Sequence, residues 1–167
     1  MRRAPGLAAA VVLLAAAAAA VRWLSVPVLL VEDVHDRLLA SEPVQPGDVL
    51  VLTYVHSSEH VPVRGTFRVE RDGTLTVTQT AFAGFGPGLP ELGPSDAWRI
   101  EHGMIVHEPV AVALAVLRVR VAPITHHRLS LPSGRQLDLS ALLGAGGSVR
   151  IRVVRRALHL LGWSSVD

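Results

Sequence analysis

The apolar residues between Val61 and Val69 recur at every second position, and this period constrains the fold more than any other feature of the chain. Val61, Val63, Phe67 and Val69 fall on one side, with Gly65 interrupting them, and Arg64, Thr66, Arg68 and Glu70 fall on the other. That is the pattern of a strand with one face on a core and one in water. Asp72-Gly73 supplies the residues of a tight hairpin turn, and Thr74 to Ala81 then sets Leu75 and Val77 against Thr74, Thr76, Thr78 and Thr80. The two segments are expected to pair antiparallel. Upstream, Val49 to Val55 is apolar on both faces, as a central strand is, and Pro46-Gly47-Asp48 marks the turn into it.

The second half continues in the same style. Ala115, Leu117, Val119 and Val121 alternate with Val116, Arg118 and Arg120 until Pro123 breaks the run. His127, Leu129 and Leu131 alternate with Arg128 and Ser130, Pro132-Ser133-Gly134 turns the chain, and Leu137 and Leu139 return. Asp138 to Leu143 reads as one helical turn closed by Gly144, followed by a strand in which Val149, Ile151 and Val153 alternate with Arg150 and Arg152. Arg150, Arg152, Arg155 and Arg156 read as the solvated face and exit of that strand. Short strands, Gly and Pro turns and no long amphipathic helix imply an all-β antiparallel sandwich or open barrel of roughly eight to ten strands.

Ahead of this domain, Arg2 and Arg3 precede an apolar, mostly alanine run from Ala4 to Val21, with Arg22 and Trp23 behind it. This is the layout of an export segment: a hydrophobic helix within residues 1–24, acting as a signal peptide or as a retained membrane anchor, with all that follows outside the cytoplasm. The expected organisation is therefore residues 1–24 as signal or anchor, 25–156 as an extracytoplasmic β domain, and 157–167 as a C-terminal tail. All 16 basic residues are arginine against 14 acidic ones, scattered and with few aromatics. Nucleic-acid binding wants a dense basic face with interleaved aromatics and fits poorly. No cysteine occurs, which excludes disulfides, thiol nucleophiles and cysteine metal sites.

His56, Glu59 and His60 stand in the order H-x-x-E-H, the spacing of an inverted zinc-protease motif. In a helix such a pair shares one face about 6 Å apart along the axis. The residues around His56 are β-formers, however, and along an extended strand the two imidazoles stand roughly 13 Å apart, too far for one ion. A sharp bend at Ser57-Ser58 would bring them closer. Ser57 is a conceivable nucleophile with His56 or His60 as base and Glu59 or Asp72 as orienting acid, but neighbours on a strand point to opposite faces. A hydrolase or metal-binding protein using His56, Ser57, Glu59 and His60 is thus the alternative reading. No cofactor is expected.

Gly84-Phe85-Gly86-Pro87-Gly88-Leu89-Pro90 is too glycine-rich for a core element, and with Pro90, Gly93 and Pro94 next it does not lead into a phosphate-binding helix. It reads as a loop whose backbone comes close to an anion or a neighbouring strand. Tyr54-x-His56-Ser57-x-Glu59-x-x-Pro62-Val63, followed by Gly86-x-Gly88-Leu89-Pro90, resembles an uncharacterised bacterial domain family. That family is encoded beside, or fused to, membrane components of TAXI-type tripartite ATP-independent periplasmic (TRAP) transporters. The resemblance covers roughly Leu29 to Val154 and includes the Thr125-His126 region. The chain departs from it with Ser58 in place of an aliphatic residue, Gly65 in place of an acid and Pro87 in place of alanine.

The resemblance implies a non-enzymatic extracytoplasmic accessory role in solute uptake, with a TRAP transporter membrane or solute-binding subunit as partner, or a small anionic solute as ligand. It makes Tyr54, His56, Ser57, Glu59, Gly86, Gly88, Leu89, Pro90 and His126 the candidate binding residues. From the residues themselves, His56 and Glu59 are expected either to form a polar pocket with the glycine loop or to pin a strand end by bonding each other or a loop carbonyl. His35, His102, His107 and His159 read as surface or turn residues.

Overall fold

A computed structural model of the chain describes residues 10–17, 25–93, 97–144 and 146–157. Residues 10–17 form a helix, α1, exposed along its length, and no helix among the described residues is long and apolar enough to cross a membrane. The rest of the expected signal or anchor segment, and the tail beyond Ala157 with His159, lie outside the described residues.

The β domain has the expected class. Its smaller sheet is built from β1 (Ser25–Asp33), β2 (Leu38–Pro43), β9 (Leu117–Arg120) and β12 (Ser148–Ala157), in the order β2-β1-β12-β9. The larger holds β3 (Val49–Val55), β4 (Pro62–Val69), β5 (Leu75–Phe82), β6 (Ala97–Glu101), β7 (Met104–Glu108), β10 (Arg128–Ser130) and β11 (Gln136–Asp138), in the order β11-β10-β3-β4-β5-β7-β6, with β8 (Val112–Leu114) also on β5. Every pairing is antiparallel and neither sheet closes. The twelve strands exceed the eight to ten expected, and among them β8 is a three-residue pairing too short to leave a period of its own.

The sheets form a sandwich because their inner faces share one core. Leu29, Val31, Val149 and Ile151 of the small sheet pack with Leu50, Phe67, Val69, Leu75 and Leu129 of the large one. Leu50, Leu75, Leu129 and Ile151 are wholly buried, and burying each such side chain stabilises the fold by about 1.5–3 kcal/mol. Local signals hold where the chemistry is local. At the Asp72-Gly73 turn, the Thr74 N–H and hydroxyl both donate to Asp72 Oδ1, and Gly73 takes a φ of 87°. The helical turn is α2 (Leu139–Leu143): Asp138 caps it by accepting from the Ala141 N–H, and Gly144 closes it at φ 67°.

Four expectations are corrected. The Thr78 position is a bulge: Thr66 pairs with Gln79 but Phe67 with Val77, so the strand changes phase and Thr80 turns inward beside Gly65 instead of facing water. The alternation from Ala115 to Val121 is not one strand. The chain bends at Ala115-Val116 and crosses from β5 of the large sheet to β12 of the small one. The C-terminal arginines are not a merely solvated face, since Arg152 bonds the buried Glu32 through Nε at 3.0 Å and Nη2 at 3.3 Å, Arg150 pairs with Asp36, and Arg155 bonds Ser25. His107 is buried in β7 opposite Thr80, not at the surface, whereas His35 and His102 are exposed turn residues.

Candidate functional site

Strand β3 delivers Tyr54 to the inner face, opposite Val63, and ends at Val55. The chain then reverses at once. The His56 N–H donates to the Val61 carbonyl at 2.8 Å, the His60 N–H donates to the His56 carbonyl at 2.9 Å, and His60 takes the left-handed φ of 55°. The extended conformation expected across Ser57 and Ser58 is therefore wrong: these residues form the turn of the β3–β4 hairpin, because His60 accepts a conformation that lets the chain close over four residues.

What occupies His56 is its own surroundings. Its Nε2 lies 2.9 Å from the Pro87 carbonyl, which only accepts, so in the neutral ring Nε2 carries the proton and Nδ1 the lone pair. The Glu59 N–H meets that lone pair at 3.3 Å. The Ser58 hydroxyl has two acceptors in reach, His56 Nδ1 at 3.2 Å and Glu59 Oε1 at 3.1 Å. Ser58, one of the three positions at which the chain departs from the resemblance, thus joins this cluster, while Ser57 makes no bond to His56. Among the described residues no group of three or more His, Asp and Glu is placed to hold a metal ion.

The glycine loop docks onto this hairpin. Its centre is a turn in which the Leu89 N–H donates to the Gly86 carbonyl at 3.1 Å, with Pro87 second and Gly88 third at φ 82°. Proline in the second position and a positive φ in the third define a type II turn, so Pro87 suits the loop. Leu89 anchors it in a second cluster with Val63 and Phe82, against which Tyr54, Val61 and Leu92 pack. Glu59 Oε1 lies 3.1 Å from where a Cβ on Gly86 would stand, so glycine is what lets the two loops meet.

Beside the docked loops a cavity of about 490 Å³ opens between the sheets. Tyr54, His56, Ser57, Pro87 and Gly88 form one wall, and β9 with the following Val121 and Ala122 forms the other. A neighbouring cavity of about 480 Å³ shares Leu52, Tyr54, Gly88 and Leu117 and extends to Leu89 and Pro90. The floor is His127, whose ring stacks on Tyr54 with centroids 4.8 Å apart and planes 7° from parallel. Thr125 Oγ1 donates to the Ala122 carbonyl at 2.6 Å, so His127 Nδ1–H donates to Thr125 Oγ1 at 2.7 Å and Nε2 keeps its lone pair. Burial holds the His127 imidazole below its usual range and pushes the Tyr54 phenol up. Both rings are neutral at neutral pH.

The structure thus brings together Tyr54, His56, Ser57 and Gly88 on the first cavity, Leu89 and Pro90 on the second, and Glu59 with Gly86 where the loops touch. His126 does not join them: it is the exposed, left-handed residue, at φ 47°, that ends the 3-10 turn Pro123–Thr125. His127 takes the place expected of it. The sequence does carry a signal for this, since His127 is in phase with the buried Leu129 and Leu131 and a polar residue in that phase needs a partner. The β9 wall left no such signal.

Fold and site together define a β-sandwich with a groove between its sheets and two motif loops at the rim. A family model for a domain of unknown function, DUF1850, matches residues 50–139. That is just over half of the 167 residues, and the chain belongs to this family. The matched span holds both motif loops, β9 and His127, and leaves out β1, β2 and β12. No curated protein and no solved structure matches the chain.

Proposed function

We propose that the chain is a non-enzymatic extracytoplasmic accessory domain of a TAXI-type TRAP uptake system, and that the groove between its sheets binds a membrane or solute-binding subunit of the transporter. The single observation that carries this reading is that both sequence motifs converge on one open, largely apolar cavity. The arginine-flanked apolar run at the N-terminus supports export and attachment to the membrane. A binding role is favoured over catalysis because both ring nitrogens of His56 are engaged within the protein and Ser57 has no base bonded to it.

A small anionic solute is the second reading, favoured by the volume of about 490 Å³, which falls in the usual range of ligand pockets. The test is co-purification of the tagged full-length protein from native membranes. A TRAP subunit should be recovered with the parent chain and lost with Tyr54→Ala, while the variant keeps its circular dichroism. Recovery of no transport component, or equal recovery with both chains, overturns the reading. Loss of the fold in Tyr54→Ala is handled by Tyr54→Phe, which keeps the stack and removes only the hydroxyl.

A further inference from the structure

The wall of the groove opposite Tyr54 is a sheet edge. In the order β2-β1-β12-β9 the last strand pairs on one side only. Its register sets Arg120 opposite Ser148 and Val119 opposite Val149, and the Val121 N–H donates to the Gly147 carbonyl at 2.8 Å. In an antiparallel ladder the bonded pairs alternate. Val121, Val119 and Leu117 therefore direct their backbone groups to β12, and Arg118 and Arg120 direct theirs away from it, into the groove. Among the described residues nothing pairs with these two N–H groups or these two carbonyls.

Charge points the same way. Arg37, Arg68, Arg99, Arg128, Arg150 and Arg152 each have an acidic partner. Arg118 and Arg120, like Arg64, Arg71, Arg135 and Arg156, have none among the described residues, but these two alone of that group line the cavity, and the cross-strand neighbour of Arg118 is another arginine, Arg150. Of the strands paired on one side only, β2, β9, β11, β6 and β8, it is β9 whose whole length borders the cavity.

We infer that β9 is a docking edge for an extended acidic segment of a partner protein, which adds to the small sheet as a fifth strand through the backbones of Arg118 and Arg120. This inference rests on the reading of the groove as a protein-binding site and names the chemistry of the partner. Strand addition draws affinity from main-chain bonds and specificity from alternate side chains, and carboxylates opposite Arg118 and Arg120 form the favourable cross-strand pairs. A second copy of the chain is a poor occupant, because antiparallel β9–β9 pairing sets arginine against arginine. Arginines also deter random edge pairing. A purely protective edge refuses every strand, whereas a docking edge accepts an acidic one.

The probe is a synthetic peptide of alternating Glu and Val, titrated into the full chain in detergent, with a Lys-for-Glu peptide and one N-methylated at alternate residues as controls. The acidic peptide should bind at least tenfold more tightly than either control and slow amide exchange at Arg118 and Arg120, and Arg118→Glu with Arg120→Glu should reverse the charge preference. Absence of binding, or binding that leaves those two amides exchanging as before, overturns the inference. Arg120→Pro removes one outward N–H without touching the β12 ladder. If a TRAP subunit co-purifies equally with Arg120→Pro and with the parent, the edge inference falls and the transport reading stands. If the peptide binds as described but no transport component is ever recovered, the transport reading falls alone.

Discussion

Glu59 occupies the space that any side chain on Gly86 would need: its Cδ and Oε1 lie 2.9 and 3.1 Å from the position of an added Cβ. The contact is the hinge between the two sequence motifs, so a methyl group there should displace Glu59, break its bond from Ser58 and loosen the loop. Gly86→Ala is expected to lower stability by about 1–2 kcal/mol, and Glu59→Ala to remove most of that cost in the double variant. Urea denaturation of the four chains measures the coupling. Additive losses would show that the loops do not depend on this contact.

His127 should give the protein a stability that falls on mild acidification. Burial lowers its pKa from the usual 6.5, so as the pH drops below that value the unfolded chain takes up a proton that the native imidazole refuses. Protons bound by the unfolded state then exceed those bound by the native state, and the free energy of unfolding declines from pH 6.5 downward while staying level above it. His127→Asn, which can still donate to Thr125, should flatten the change in Tm between pH 7.5 and 5.5. An unchanged slope would mean that other groups carry it.

Ser140 holds the floor of the groove from below. Its hydroxyl accepts from the His127 N–H at 2.8 Å and donates to the Ala122 carbonyl at 2.9 Å, tying α2 to the end of β9 and the start of β10. Ser140→Ala leaves a buried N–H without a partner and should cost about 1–3 kcal/mol, read as a lower denaturation midpoint at unchanged slope.

Asp33 should set part of the acid limit. Burial alone would raise its pKa, but the N–H groups of Arg37 and His35 and the Arg37 guanidinium outweigh burial and hold the carboxyl below its usual 3.8. Its contribution is present above that ordinary value and disappears as the pH falls through the lower native value. Asp33→Asn should therefore lower Tm at pH 7 and leave a shallower decline between pH 5 and 2, measured by thermal melts across that range.

The sequence was legible wherever structure depends on neighbours along the chain. Asp72-Gly73, Asp138 with Gly144, and the period from Val61 to Val69 each have their cause within a few residues. It was illegible where the cause lies on another strand. The bulge at Thr78 exists only in register with Thr66, and the partners of Arg150 and Arg152 lie more than a hundred positions away. The change of sheet at Ala115-Val116 interrupts no alternation at all. At the site, the meeting of His56 and Glu59 with the glycine loop was readable from residue types, including the bond to a loop carbonyl. His126 entered through the resemblance alone and stands exposed, while His127 lines the cavity, and the stretched reading of Ser57-Ser58 mistook a hairpin turn for a continuing strand.

Ser25 and Ala157 are register partners at one end of the β1–β12 ladder, so the chain enters and leaves the domain side by side. The cavity lies by the other end, near Ser148, six to nine residues along β12 and about 20–30 Å away at the rise of a strand. A tether attached at the Ser25–Ala157 end would leave the mouth of the cavity at the pole farthest from it, as a lantern hangs with its opening away from the hook.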